Sequence, residues 1–142
     1  MKLILADHCR KLLTQGRATR AAYAQNTEPP EHKPVVKLFT PDAACTWLLS
    51  ELDPIDPDIA FGLCDLGMGC PELGNVRLSE IMGLRGVLGL PVERDRFFDP
   101  VYTLTVYVRA AQRAGCITED RQMLADAASD LADEWAENGI AV

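Results

Sequence analysis

Apolar residues recur along this chain in two rhythms, helical near both ends and strand-like between them. Leu3, Ile4, Cys9, Leu12 and Leu13 fall at helix-like intervals up to Gly16, which is expected to stop the helix, and the alanine-rich residues 17–25 extend or restart it. Residues 26–34 hold three prolines and little to bury, so an extended linker is expected there. Val35 to Thr40 then reads as a strand that ends at the Pro41-Asp42 turn. Cys45 to Leu52 fits a helix through Ala44, Leu48 and Leu52, but its length and the Asp53-Pro54 that bounds it favour a strand. The two prolines of residues 53–58 make that segment a connection, and Ile59 to Asp65 is the next strand.

Gly67, Gly69 and Gly74 surround Pro71 in a loop that calls for positive φ, followed by a short strand over 76–78 and a brief helix capped by Ser79. Residues 90–98 alternate charged and apolar side chains like a half-exposed edge strand. Beyond Pro100, Leu104, Tyr107, Val108, Ala111 and Ala114 return to helical spacing until Gly115. The last helix takes Thr118 as N-cap, Glu119 and Asp120 at its positive end, and a stripe of Leu124, Ala127, Ala128, Leu131 and Trp135. The expectation is an α+β fold in which a small antiparallel sheet of about four strands is flanked by N-terminal and C-terminal helices. Its 142 residues suit a single domain, with a helical N-terminus and linker over 1–34, a body over 35–117 and an acidic helix over 118–142.

Composition narrows the function classes. No apolar run reaches membrane-spanning length, and the start Met1-Lys-Leu-Ile-Leu-Ala-Asp7 is too short for a secretory signal, so a soluble cytoplasmic protein without a membrane partner is expected. Five widely spaced cysteines (Cys9, Cys45, Cys64, Cys70, Cys116) without a C-x-x-C pair indicate reduced thiols rather than a disulfide framework or a zinc site. The net charge of -7 is uneven: residues 41–85 hold eight acidic against two basic residues, and residues 117–142 seven against one. Such acidity disfavours direct nucleic-acid binding, which rests on phosphate neutralisation by Lys and Arg. Lys2, Arg10, Lys11, Arg17 and Arg20 make the N-terminal segment the one place where DNA contact could arise.

Four stretches, Val35-Val-Lys-Leu-Phe-Thr-Pro-Asp42, Thr46-Trp-Leu-Leu-Ser-Glu-Leu-Asp-Pro54, Asp58 to Gly74 and Leu84-Arg-Gly-Val-Leu-Gly-Leu-Pro-Val-Glu-Arg-Asp95, together resemble the bacterial domain-of-unknown-function family numbered 2958. The resemblance runs from about Val35 to Ile117 and leaves the acidic tail outside. It implies a setting among plasmids and other mobile elements, and it brings no catalytic residue and no cofactor.

Two acidic groups are the candidate sites. Asp53, Asp56, Asp58 and Asp65, with Glu72 nearby, could converge on a hard cation as in a metal-dependent hydrolase or nuclease, although no EF-hand spacing or histidine completes such a site. The plainer role for Asp53, Asp56 and Asp58 is to shape turns through side-chain to backbone hydrogen bonds. In the tail, Asp126, Asp130, Asp133 and Glu137 follow at intervals of four, three and four along one helix face, beside Glu134. Gly67-x-Gly69 with Gly74 matches no phosphate loop. His8 and His32 have no nucleophile nearby in sequence and are expected at the surface, and Cys64 and Cys70 lie in acidic sequence that would raise a thiol pKa. The function these features imply is a non-enzymatic acidic binding module of a mobile element. Asp126, Asp130, Asp133 and Glu137, with Asp53, Asp56 and Asp58, would contact a basic host protein or nucleoprotein complex, and interference with a nucleic-acid-directed defence such as CRISPR or restriction is the concrete case.

Overall fold

Gly16 does not end the first helix. In the computed structural model, which describes residues 2–139, α1 runs unbroken over Ala6–Ala24. Glycine weakens a helix by up to about 1 kcal/mol, yet here it is buried where α1 crosses β2 (Thr46–Leu52). A Cβ at position 16 would lie 1.9 Å from the backbone oxygen of Leu52, so only glycine lets the two backbones approach this closely. The next-door Gln15 side chain donates to the Ser50 carbonyl at 2.6 Å and fastens the same crossing.

β1 (Val36–Phe39), β2, β3 (Ile59–Asp65) and β4 (Glu72–Arg77) form an antiparallel meander, and β5 (Glu93–Arg94) adds antiparallel to the free edge of β1. The order β4-β3-β2-β1-β5 gives five strands rather than about four. The α+β class, with helices at both chain ends, is as expected. The expected edge strand over 90–98 shrinks to two paired residues because Asp95 turns the chain away, its carboxylate accepting from the Phe97 amide at 2.9 Å. The strand placed at 76–78 begins earlier, at Glu72, and Leu78 already opens α2 (Leu78–Gly83). Ser79 is not the cap of α2; the carboxylate of Asp58, distant in sequence, accepts from both the Ser79 amide (3.0 Å) and its hydroxyl (2.7 Å).

Alternation along the strands builds one apolar core on each side of the sheet. On one side Leu12 of α1 and Ile81 of α2 meet Val36, Leu38, Trp47, Leu49, Leu52 and Ala60. On the other, α3 (Leu104–Ala114) and α4 (Arg121–Glu137) pack as a hairpin over Leu48 and Leu63, through Tyr107, Ala110 and Ala111 of α3 and Leu124, Ala127 and Leu131 of α4. The acidic tail therefore lies against the body. Its N-cap is Asp120, which accepts from the Met123 amide at 2.9 Å, whereas Thr118 only supports the Asp120 amide. Gly115 ends α3 at φ +77°, as its position suggested, and Gly67 and Gly69 take positive φ while Gly74 sits inside β4. Among the described residues no helix is long and apolar enough to cross a membrane.

Residues 26–34, expected as an extended linker, lack regular structure as expected but are fastened to the body at their C-terminal end. Pro34 is fully buried, and the His32 carbonyl accepts from the Leu104 amide at 2.8 Å, which ties the segment to the start of α3. The α1–β2 crossing provides a test of this architecture. Gly16→Ala raises helix propensity by about 1 kcal/mol, but overpacking costs typically about 1–3 kcal/mol and here falls on a backbone atom, so net destabilisation is expected. Chemical denaturation showing unchanged or increased stability would contradict the close approach.

Candidate functional site

The carboxylates of the β2–β3 turn are occupied by the turn itself. Asp53 Oδ1 accepts from the amides of Ile55 (2.8 Å) and Asp56 (3.4 Å), Asp56 Oδ1 from that of Asp58 (3.4 Å), and Arg77 pairs with Asp56 (3.2 Å) and Asp58 (3.5 Å). The Ile55 amide holds the Asp53 carboxyl below its usual range, and the Ser79 hydroxyl does the same for Asp58. Asp65 stands at the opposite end of β3, buried, with one oxygen on the Gly67 amide and the other on the Ile117 amide, both at 2.9 Å. Asp53, Asp56 and Asp58 thus share no centre with Asp65 or with Glu72. The expected convergence fails because a strand of seven residues separates the two ends. Among the described residues no group of three or more His, Cys, Asp or Glu side chains is placed to hold a metal ion.

The five acids of α4 divide differently. Asp130 pairs with Arg113 at 2.6 Å, and Glu134 with Arg109 through two bonds of 2.8 and 2.9 Å, so α3 neutralises the near flank of the helix. Arg109 accordingly lowers the Glu134 pKa. Asp126, Asp133 and Glu137 are exposed and form no ion pair among the described residues. At 100° per residue they project away from Leu124, Ala127 and Leu131, which face the core.

A third place was not legible in the sequence. Between Leu49 and Leu52 the pairing of β2 with β3 slips by one residue: Leu49 opposes Gly62, Glu51 opposes Phe61, and Leu52 opposes Ala60. Ser50 is the extra residue of a β-bulge, 1% exposed, its hydroxyl directed to the Phe61 carbonyl at 3.4 Å. Without the bulge, strict alternation would send Glu51 into the core beside Leu49 and turn Leu52 to the other face. With it, Leu52 joins that core and Glu51 enters a cleft on the α3 side of the sheet.

The cleft measures about 550 Å³ and lies between the C-terminal half of α1, residues 29–32, the ends of β2, β3 and β4, and the start of α3. Inside it Thr19 Oγ1 donates to Glu51 Oε2 at 2.9 Å and lies 3.2 Å from His32 Nε2. A hydroxyl has one hydrogen, so a Thr19 that donates to Glu51 receives from His32, and the network assigns the ring proton to Nε2. The side chains of His32 and Glu51 are only 12% and 16% exposed. Burial pushes the Glu51 carboxyl above its usual range, against the opposing pull of Thr19 and His32.

His32 is therefore part of a half-buried network and not a surface residue. His8 is also half-buried, with Nδ1 unpartnered and its pKa lowered by burial and by nearby Arg94 and Lys11. All five cysteines are free, and the Cys64 thiol is pushed up by burial rather than by neighbouring acids.

The model of the family described as "Protein of unknown function (DUF2958)" matches residues 3–118, well over half of the chain, and the chain belongs to that family. The match takes in α1 as well as the sheet and α3, so Thr19, His32 and Glu51 lie inside it and α4 lies beyond it. No curated protein and no solved structure matches the chain.

A carboxylate whose ionisation is penalised by burial leaves a signature in stability. With the folded-state pKa above the unfolded one, the native protein holds a proton longer, so stability is fully present below the unfolded value and is lost as pH rises through the folded one. Glu51→Gln removes that loss. The melting-temperature difference, variant minus wild type, is therefore expected to grow as pH rises from about 4. A difference independent of pH would mean that burial does not penalise the Glu51 charge.

Proposed function

Taking membership of the DUF2958 family as the premise, we propose that the chain is a non-enzymatic protein-binding module that engages a basic host protein or nucleoprotein complex through the outer face of α4. The observation that carries this reading is the division of labour on that helix. Asp130 and Glu134 are spent on Arg113 and Arg109, which fix the helix in place, while Asp126, Asp133 and Glu137 stand exposed without a cationic partner among the described residues. Their one side-chain hydrogen bond among the described residues is local, from the Gln122 amide to Asp126 at 2.8 Å. Asp133 and Glu137, four residues apart near a helix C-terminus, repel each other and oppose the helix dipole, which costs about 0.2–0.5 kcal/mol per pair. A fixed row of anionic side chains suits a surface that otherwise holds nucleic acid, because complementary charge speeds encounter and rejects neutral partners.

The mobile-element setting that the family resemblance implies makes a host defence complex acting on nucleic acid, of the CRISPR or restriction kind, the concrete partner. Asp53, Asp56 and Asp58 drop out of this contact surface, since their carboxylates serve the β2–β3 turn, α2 and Arg77.

The test compares the tagged wild type with an Asp126→Asn, Asp133→Asn, Glu137→Gln variant in nuclease-treated lysates of host cells that carry their defence systems. The wild type is expected to retain a stoichiometric basic protein that the variant loses, while the variant melts at the same or a slightly higher temperature. Equal recovery of the same partners by both proteins would overturn the acidic-face reading.

A further inference from the structure

The cleft around Glu51 lies outside the α4 face and has a chemistry of its own. The bulge at Ser50 sets a carboxylate, rather than Ser50 itself, opposite Phe61, and burial disfavours the charge of that carboxylate. Residues held at a cost to stability in a concave site are the usual mark of ligand recognition. The volume of about 550 Å³ falls within the range of small-molecule sites, far beyond what one ordered water requires.

Three features of the walls define what fits. First, Glu51 uses only Oε2 internally, for the Thr19 hydroxyl; among the described residues no donor reaches Oε1. Second, the lining carries three carboxylates, Glu31, Glu51 and Asp53, against the single guanidinium of Arg20. Arg20 acts on Asp53, whose pKa it helps to lower, Glu31 is held only by the Thr105 hydroxyl at 2.7 Å, and Glu51 has no arginine or lysine beside it and only the His32 ring 4.0 Å away, so the lining carries an excess of negative charge. Third, Phe61, Leu73 and Leu104 offer an apolar bed, and Tyr23, 66% exposed, stands at the rim. A ring face beside a carboxylate attracts a cation whose stem is apolar.

From these features we infer that the cleft binds a small organic cation, an ammonium or guanidinium head on an apolar stem, with the head on Glu51 Oε1 and the stem across Phe61 and Leu73. Such a head reaches the cleft either on a free small molecule or on an arginine side chain of another protein; the recognising chemistry is the same. The inference stands independently of the α4 reading, since no α4 residue lines the cleft.

The experiment is an amide-resolved NMR titration of the full chain with n-butylguanidinium and n-butylammonium chloride, with 1-butanol as the uncharged control. Saturable shifts at Thr19, His32, Glu51, Phe61 and Asn75 are expected for one or both cations, half-complete on the order of 1 mM, and none for butanol. Loss of a hydrogen bond to a charged group weakens binding about tenfold or more, so Glu51→Gln should do so while remaining folded by its melting curve. Tyr23→Ala, a change at an exposed position, should weaken it about threefold. Blocked N-acetyl-arginine N-methylamide separates the sources: tighter binding than butylguanidinium assigns the head to a polypeptide, weaker binding to a free small molecule. Butanol binding as well as the cations, a folded Glu51→Gln protein with unchanged affinity, or absence of saturable shifts for both cations would overturn the inference.

Discussion

A strand packed on both faces must keep strict alternation, and β2 of this protein breaks it once. All five side chains of the segment Leu48-Leu49-Ser50-Glu51-Leu52 are buried or half-buried and they are of incompatible kinds, and the extra residue at Ser50 sorts them. Leu49 and Leu52 both reach the core under α1, Leu48 reaches the one under α3 and α4, and Glu51 is delivered to the cleft. Because one register slip reverses every side chain beyond it, the position of the bulge determines what faces the core and what faces the cleft. The α1 crossing depends on the same place: the Gln15 amide holds the Ser50 carbonyl, and Gly16 lies on Leu52.

Around that constraint three groups of acidic residues stand out. Asp42, Asp53, Asp58, Asp65 and Asp120 serve the backbone, each accepting from amides in turns, loops or at helix starts, where a carboxylate is an effective acceptor. Asp130 and Glu134 join α4 to α3 through arginines. Among the other acids, Glu51 in its cleft and Asp126, Asp133 and Glu137 on the outer face of α4 occupy the two places that carry the functional readings. They differ in standing: Glu51 is inside the segment that the family model matches, and the α4 acids are outside it, so the cleft is the feature that belongs to the family portion.

Much of the fold was legible because its signals are local. The stripe Leu124, Ala127 and Leu131, the stop at Gly115, and the β2–β3 turn marked by Pro54 and Pro57 each follow from neighbours in sequence. What was missed depends on distant partners. Gly16 has the composition of a helix stop, and only the approach of Leu52 explains a glycine inside a continuous helix. His32 sits among prolines and looks solvated until α1 and β2 close over it with Thr19 and Glu51. Asp65 looked like one of a cluster with Asp58, but strand length places it at the far end of β3. The bulge itself has no turn or glycine to mark it, since Ser50-Glu51-Leu52 can alternate in either register. A weak hint was available: strict alternation would put Glu51 in line with Trp47 and Leu49, an unfavourable place for a charge.

The most direct measurement is the set of cross-strand nuclear Overhauser contacts between β2 and β3 in solution. The bulged register expects contacts of Glu51 with Phe61 and of Leu52 with Ala60, with Ser50 unpaired. Contacts of Ser50 with Phe61 and of Glu51 with Ala60 would show an uninterrupted ladder, place Glu51 in the core, and remove the cleft carboxylate on which the account rests.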